Sequence, residues 1–379
     1  ILDVDAAVYL RSKTLQQGSI RIEGSIRGTV LYIGEDSERL QRIEAELPVS
    51  FSAEAEGTED TDILAANLCV SSADARLLNP RKIQFRVGVC AAVAAYRSVT
   101  AELPTEAEPT PGLYTLTDTK TVSFLFGIEE KSFLVSDEAE LPAGCPPMEK
   151  LLCYSHTETV EELKQVGGKM ILQGTVRLDT LYLTAGDDAP QQQSFCIPFS
   201  QILDIANGKA ELSTVILTSG GWYLEPLSGS DGITSLHLEL HLCAQTLCRS
   251  ETEIRYIADA YSLKNACRLK TDVIRTLNTA RASVLRQSVR ETLEAPDSPK
   301  EIVYTRVTAA FPVRTENGAS ENICVRVLYR TQRGSLSSMS RVLTLTFEGG
   351  GTTGMTLPET ARFGEVYAAA GDGAVELRC

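Results

Sequence analysis

The chain has few of the residues and motifs from which active sites are built. Its 379 residues include three histidines and one tryptophan, and aromatic residues make up 6% of the sequence. No GxSxG elbow, HExxH helix, P-loop or GxGxxG loop occurs, and the glycine-rich stretch at 349–354 lacks the lysine that would contact phosphate. The sequence therefore predicts no enzyme, no cofactor and no metal.

Long apolar runs, basic clusters and paired cysteines are also missing. No run approaches the ~20 apolar residues of a membrane-spanning helix. The formal charge of −14, from 50 acidic against 36 basic residues, argues against nucleic-acid binding, which depends on basic surfaces. The ten cysteines form no CxxC pair. We expect free thiols in a reducing, cytoplasmic compartment, without membrane insertion.

The most informative feature that is present is an internal repeat. Residues 22–33, IEGSIRGTVLYI, recur as LQGTVRLDTLYL, so that Gly174 lies 150 positions after Gly24. A weaker third copy, ENICVRVLYR, ends at Tyr329 and has Glu321 in place of the glycine. The repeat predicts three related domains. A tyrosine recurs near the end of each copy, the third at Tyr329. This recurrence indicates a packing role that the three domains share.

The repeated segments have the alternating pattern of β-strands. Ile20, Ile22 and Ile26 all fall on even positions, which is typical of a strand with one buried face. Pro48 and Pro198 occupy equivalent places, and we expect each to end its strand, because proline cannot donate to the ladder. The pattern predicts an all-β protein.

We predict a tandem, beads-on-a-string array of three related antiparallel β-sandwich-like domains. The first spans 1–101 and would lack its N-terminal hairpin, the second spans 113–262, and the third spans 263–379 with an incomplete last strand. The proline- and glutamate-rich stretch at 102–112 is the best linker. One alternative concerns the start of the third domain, where residues four apart could mark a helix: Leu269, Val273 and Leu277.

Trp222 and Tyr223 are the candidate partner-binding residues. They follow two glycines, and tryptophan and tyrosine dominate protein-interface hot spots. Core packing is the favoured explanation of this pair, and partner binding is the alternative. A carbohydrate platform is a weaker one, since a single tryptophan would serve three domains.

A strand near the end of the second domain places four possible metal ligands on one face. These are His237, Glu239, His241 and Cys243. Residues two apart on a strand are separated by ~6.8 Å, so one ion could not easily reach both histidines. A solvated polar face is the favoured interpretation.

Several short motifs together resemble the SPOCS domain of SipL-type spore-coat proteins. They are GSIRGTVLY and GTVRLDTLY, then ELPVSF and CIPFSQIL, and IADAYS at 257–262. The resemblance implies a non-enzymatic assembly protein in the mother-cell cytoplasm, at the forespore surface, that docks on a SpoIVA-like coat-basement ATPase. The LysM domain typical of these proteins is not visible. The alternative is an envelope module that binds polysaccharide such as peptidoglycan.

Overall fold

The protein is all-β. The computed structural model describes residues 1–35, 39–184, 187–205, 212–229, 232–276, 286–315, 318–348 and 359–379. Within these ranges the chain forms eighteen β-strands and no helix, which confirms the predicted fold class. Residues 266–276 have no regular structure, so Leu269 and Val273 are not helical. Leu277 and the glycine-rich stretch at 349–354 lie outside the described residues.

The first unit consists of a three-stranded sheet and a hairpin. The sheet has the order β1-β2-β3, and all its pairs are antiparallel. The hairpin β4-β5 packs on it through β1. The strands are β1 Asp3–Gln16, β2 Ser19–Ile33, β3 Leu40–Glu54, β4 Ile63–Asn79 and β5 Lys82–Tyr96.

The second unit is a six-stranded sheet folded into two layers around the largest hydrophobic core. The strands β7-β8-β9 form one layer, and β6, β11 and β10 form the other. Among the described residues, strand pairing connects the two layers at one residue pair, Met148 with Ile233. The strands are β6 Leu113–Glu140, β7 Met148–Val166, β8 Lys169–Thr184, β9 Asp187–Asp204, β10 Thr214–Gly229 and β11 Gly232–Ser262.

The third unit repeats this layering with shorter strands. One sheet contains β13, β14, β15 and β16, and the other has the order β12-β18-β17. Its strands are β12 Arg290–Glu294, β13 Pro299–Ala309, β14 Val313–Thr315, β15 Gly318–Thr331, β16 Leu336–Glu348, β17 Tyr367–Ala370 and β18 Ala374–Arg378.

Matching positions of the three units meet at one junction. Leu31 pairs with Asp3, Leu181 with Cys153, and Leu328 with Tyr304, so the sequence repeat is also a repeat of strand register. The three leucines lie in a single buried cluster. The preceding residues on the partner strands join the same cluster: Leu2, Leu152 and Val303. The units therefore form one packed body, and the expected beads-on-a-string arrangement is wrong.

The repeated glycine permits close approach of two backbones. A Cβ atom on Gly24 would lie 2.2 Å from the Tyr9 carbonyl oxygen, and one on Gly174 would lie 2.3 Å from that of Thr159. Each glycine adjoins a β-bulge in the neighbouring strand. In the third unit, where Glu321 replaces the glycine, the partner strand is interrupted between β13 and β14.

Replacing Gly174 with alanine is expected to lower the free energy of unfolding by about 1–3 kcal/mol, because the new methyl group would overlap the Thr159 carbonyl and the Phe199 ring. Urea denaturation measures this loss. Gly168→Ala is the matched control, since a Cβ there has no atom within 4 Å. Equal stabilities of the two variants would contradict the steric explanation.

The prediction that Pro48 and Pro198 end their strands is wrong. Both lie inside strands, Pro48 opposite Ser25 in β3 and Pro198 opposite Thr175 in β9. Each strand pairs on one side only within the described part of the chain. A proline is tolerated in such an edge strand because its missing N–H is not needed by a neighbour.

Candidate functional site

A cavity of about 400 Å³ lies where the three units meet. The first unit lines it with β1 and β4, the second with β7 and β10, and the third with β13 and the segment 359–366. Because strands far apart in sequence converge here, this is where side chains from all three units can act together.

An aromatic cluster forms one wall of the cavity. The Trp222 ring lies 4.8 Å from that of Tyr154 and 4.6 Å from that of His156, measured between centroids, and Tyr9 stacks on His156 at 6.1 Å. The Arg27 guanidinium carbon lies 5.6 Å from the Trp222 ring centroid and 5.7 Å from that of Tyr154. Such cation–π contacts stabilise the packing of the first unit on the second.

Glu158 is a buried carboxylate within this cluster. The His156 Nδ1 atom lies 3.2 Å from its Oε1 atom, and the Ser219 hydroxyl donates to the same oxygen. Burial alone would raise the pKa of Glu158, but the neighbouring imidazole and the hydroxyl outweigh it and lower the pKa to about 2. The carboxylate is therefore held ionised.

This arrangement differs from a nucleophilic triad. In a triad the imidazole lies between the hydroxyl and the carboxylate and accepts the hydroxyl proton. Here Glu158 lies between Ser219 and His156, and the hydroxyl donates to the carboxylate. The hydroxyl is thus not activated by the imidazole, and the three groups act as a buried polar network.

Several polar atoms of the wall have no hydrogen-bond partner among the described residues. They are the Tyr9 hydroxyl, Arg27 Nη1, His156 Nε2 and Trp222 Nε1. Burial also raises the pKa of the Tyr9 hydroxyl, which keeps it protonated. Neighbouring side chains cover these atoms, so the wall does not present them on an open surface. This burial favours a packing role over direct contact with a ligand.

A buried ionic network reaches the cavity lining through Asp5 and Arg306. Arg306 lies 3.1 Å from Asp3 and 2.6 Å from Asp5, and Arg326 lies 3.4 Å from Asp3. Burial would lower the pKa of Arg306, but the two aspartates hold it well above its usual range. The network joins the first unit to the third, since β13 and β15 supply the arginines and β1 the aspartates.

A side-chain amide joins the first unit to the second. Gln245 Nε2 donates to the Ala66 carbonyl at 2.7 Å, and the Ala66 N–H donates back to Gln245 Oε1 at 2.9 Å. Lys13 adds bonds to the Leu64 carbonyl at 2.7 Å and to Gln245 at 2.5 Å, and it also pairs with Glu130. Both unit interfaces are thus held by specific polar contacts.

Residues 1–78 match a family described as SipL, SPOCS domain. The match, over the first unit, supports a SipL-type SPOCS domain there. This match suggests a sporulation-related role in protein interaction, and the SPOCS family is not a known enzyme family. No curated protein and no solved structure matches the chain. The described residues contain no helix that could span a membrane.

Trp222 and Tyr223 lie on opposite faces of β10, outside the residues that match the SPOCS family. Trp222 packs in the cavity wall, while Tyr223 is 51% exposed. They do not act as one aromatic pair. Their partner-binding role stays a prediction, and only Tyr223 is placed for surface contact.

The predicted polar face on β11 is partly paired within itself. His237 Nε2 lies 3.4 Å from Glu239, and His241 is exposed. Within the described ranges no three potential metal-ligating side chains are grouped. Sequence reasoning missed the cavity residues Tyr9, Arg27 and Arg306, because each comes from a different strand. His156 and Glu158 lie two apart on β7, and this spacing is a local signal that could have indicated the polar cluster.

Replacing Glu158 with glutamine is expected to flatten the acid dependence of stability. The pKa of Glu158 is lower in the folded chain than its unfolded value of 4.5. The carboxylate therefore contributes its full stabilisation above about pH 4.5, and this stabilisation is lost as the pH falls towards about 2. The native chain should lose on the order of 3 kcal/mol more than Glu158→Gln between pH 5 and 2. Denaturation at each pH measures this, with the exposed-site variant Glu46→Gln as control. Parallel curves for native and Glu158→Gln proteins would contradict it.

Proposed function

We propose that the chain is a non-enzymatic scaffold for spore-coat or envelope assembly, built from three SPOCS-like repeats at 1–101, 113–262 and 263–379. The observation that carries this proposal is the SPOCS match at residues 1–78. Recurrence of the same strand register in all three units supports extending it to the rest of the chain.

The packing of the units supports a scaffold role. The leucine cluster, the Arg306 network and the Gln245 amide fix the units relative to one another. A fixed body presents its exposed strands and loops at constant spacing, and simultaneous contacts then bind a partner more tightly than any single contact. The buried polar cluster around Glu158 contributes to this fixed arrangement of the units.

The partner that we propose is a SpoIVA-like coat-basement ATPase at the forespore surface, met in the mother-cell cytoplasm. The SPOCS resemblance supports it. Immobilised intact protein should retain the purified ATPase in a saturable way. Absence of retention, together with a gene silent during sporulation, would contradict the proposal; retention on peptidoglycan instead would favour the envelope-binding alternative.

Tyr223 offers a direct probe of the binding surface. Tyr223→Ala should weaken ATPase binding at least fivefold without changing the melting temperature, because tyrosine is enriched among the interface hot spots, whose truncation costs about 2 kcal/mol or more of binding energy. Tyr367→Ala, at a tyrosine of similar exposure, is the matched control. Equal affinities would exclude Tyr223 from the interface. Trp222 is a poorer probe, since its substitution would disturb the cavity wall.

A further inference from the structure

Two of the ten cysteines lie directly opposite each other in the hairpin of the first unit. Cys69 on β4 is the register partner of Cys90 on β5, and opposed residues in a ribbon point to the same face. Among the strands that the structure describes, no other opposed pair consists of two cysteines. Cys196, for example, lies opposite Arg177.

The spacing of opposed residues suits a disulfide. Their Cα atoms are about 4.5–5.5 Å apart in an antiparallel pair, and a disulfide joins Cα atoms about 4.4–6.8 Å apart. The side chains of Cys69 and Cys90 are close enough to share a hydrogen bond. A bond between their sulfur atoms therefore requires rotation of the side chains and no change in strand register.

The two thiols differ in their access to solvent. Cys90 is exposed, whereas Cys69 is 7% exposed and lies where the first unit meets the third. Burial raises the pKa of Cys69 to about 12, and the adjacent Cys90 raises it further, although the Phe311 N–H donates to the Cys69 sulfur and lowers it. A reagent in solution therefore meets Cys90 first.

We propose that Cys69 and Cys90 form a reversible oxidation site, at which exchange with a small-molecule disulfide joins β4 to β5 by a cross-strand disulfide. In a reducing compartment such a pair is a dithiol at rest, and a disulfide forms there transiently as a response to oxidation. The site goes beyond the proposed role in assembly and does not depend on it.

The exchange takes two steps. The Cys90 thiolate attacks one sulfur of the small disulfide, whose S–S bond breaks, so that one small thiolate leaves and takes up a proton while a mixed disulfide remains on Cys90. The Cys69 sulfur then attacks the Cys90 sulfur, the mixed disulfide breaks, and the second small thiolate leaves and takes up the Cys69 proton. Two protein thiols are oxidised to one disulfide, and the small disulfide is reduced to two thiols.

Cys69 can complete the second step in spite of its burial. Its target is held on the opposite strand, so the step is intramolecular and needs no access from solvent. The mixed disulfide on Cys90 cannot ionise, so Cys90 no longer contributes to the raised pKa of Cys69. The Phe311 N–H still favours the thiolate. Cys69 is therefore the resolving cysteine.

The test incubates the intact protein with glutathione disulfide, alkylates the remaining thiols and maps the products by peptide mass spectrometry. Peptides linked through Cys69 and Cys90 should be at least tenfold more abundant than linked peptides that contain Cys196, an exposed cysteine that serves as the control. Dithiothreitol should remove the link. The linked protein should melt at a higher temperature than the reduced protein, because the cross-link closes the loop 70–89 and restricts the unfolded chain.

Two variants assign the roles. Cys69→Ala should retain glutathione on Cys90, because the resolving thiol is missing. Cys90→Ser replaces an exposed side chain, so it should fold normally, show no rise in melting temperature on oxidation and leave Cys69 unmodified. This second variant tests the assignment even where Cys69→Ala is too unstable to purify.

Three results would overturn the inference. They are glutathione that stays on Cys90 of the native chain without a link to Cys69, links through Cys196 that are as abundant as the link between Cys69 and Cys90, and modification of Cys69 in the Cys90→Ser variant at the rate seen in the native chain. A linked protein that melts no higher than the reduced protein would overturn the fastening of β4 to β5.

Discussion

Replacing Arg306 with alanine is expected to lower the free energy of unfolding by about 3–5 kcal/mol. Arg306 and its partners Asp3 and Asp5 are all shielded from solvent, and Arg306 also donates to the Val4 carbonyl at 2.9 Å. Without the guanidinium, two carboxylates would remain buried with little compensation. Guanidinium denaturation of the purified variant measures the loss.

A surface ion pair provides the matched control for Arg306. Arg11 lies 2.9 Å from Glu46, and both side chains are more than half exposed. Such pairs contribute about 0–1 kcal/mol, so Arg11→Ala should have little effect. If Arg306→Ala cost no more than Arg11→Ala, the ionic network would not hold the first and third units together.

Leu328→Ala is expected to lower the free energy of unfolding by about 2–5 kcal/mol. Leu328 is buried in the same cluster as Leu31 and Leu181, its counterparts in the other two units. The truncation would leave a cavity that no single unit can close, because its walls belong to three different sheets. Urea denaturation measures the change.

The control for Leu328 is Val342→Ala, at an exposed position in the same unit. A surface substitution of this kind usually changes stability by less than about 0.5 kcal/mol. Leu31→Ala and Leu181→Ala should fall in the range expected for Leu328→Ala. A cost below about 1 kcal/mol for all three would mean that the leucine cluster contributes little to the junction.

Much of the fold could be predicted from the repeat. The 150-residue offset between Gly24 and Gly174 placed Pro48 and Pro198 at equivalent sites, and the structure gives them the same register. Strand alternation predicted the all-β class, which is confirmed. The error at the two prolines arose because the sequence does not say which strands lie at an edge. The predicted domain boundaries stay predictions.

The junction could not be predicted, for a physical reason. Leu31, Leu181 and Leu328 are each followed by the repeated tyrosine, and the pattern in one copy indicates only that its leucine is buried. Whether it is buried within its own unit or against another depends on long-range packing. Strand alternation places Trp222 and Tyr223 on opposite faces of β10, but which of the two faces is buried depends on the same long-range packing.

The central claim, that three units form one interlocked body, is most directly tested by urea unfolding followed with two probes. Trp222 is the single tryptophan and lies where the first two units meet, so its fluorescence reports on the junction, while far-UV circular dichroism reports on all strands. We expect the two transitions to have coincident midpoints. Loss of the Trp222 signal at a clearly lower urea concentration, with most β-structure retained, would contradict it.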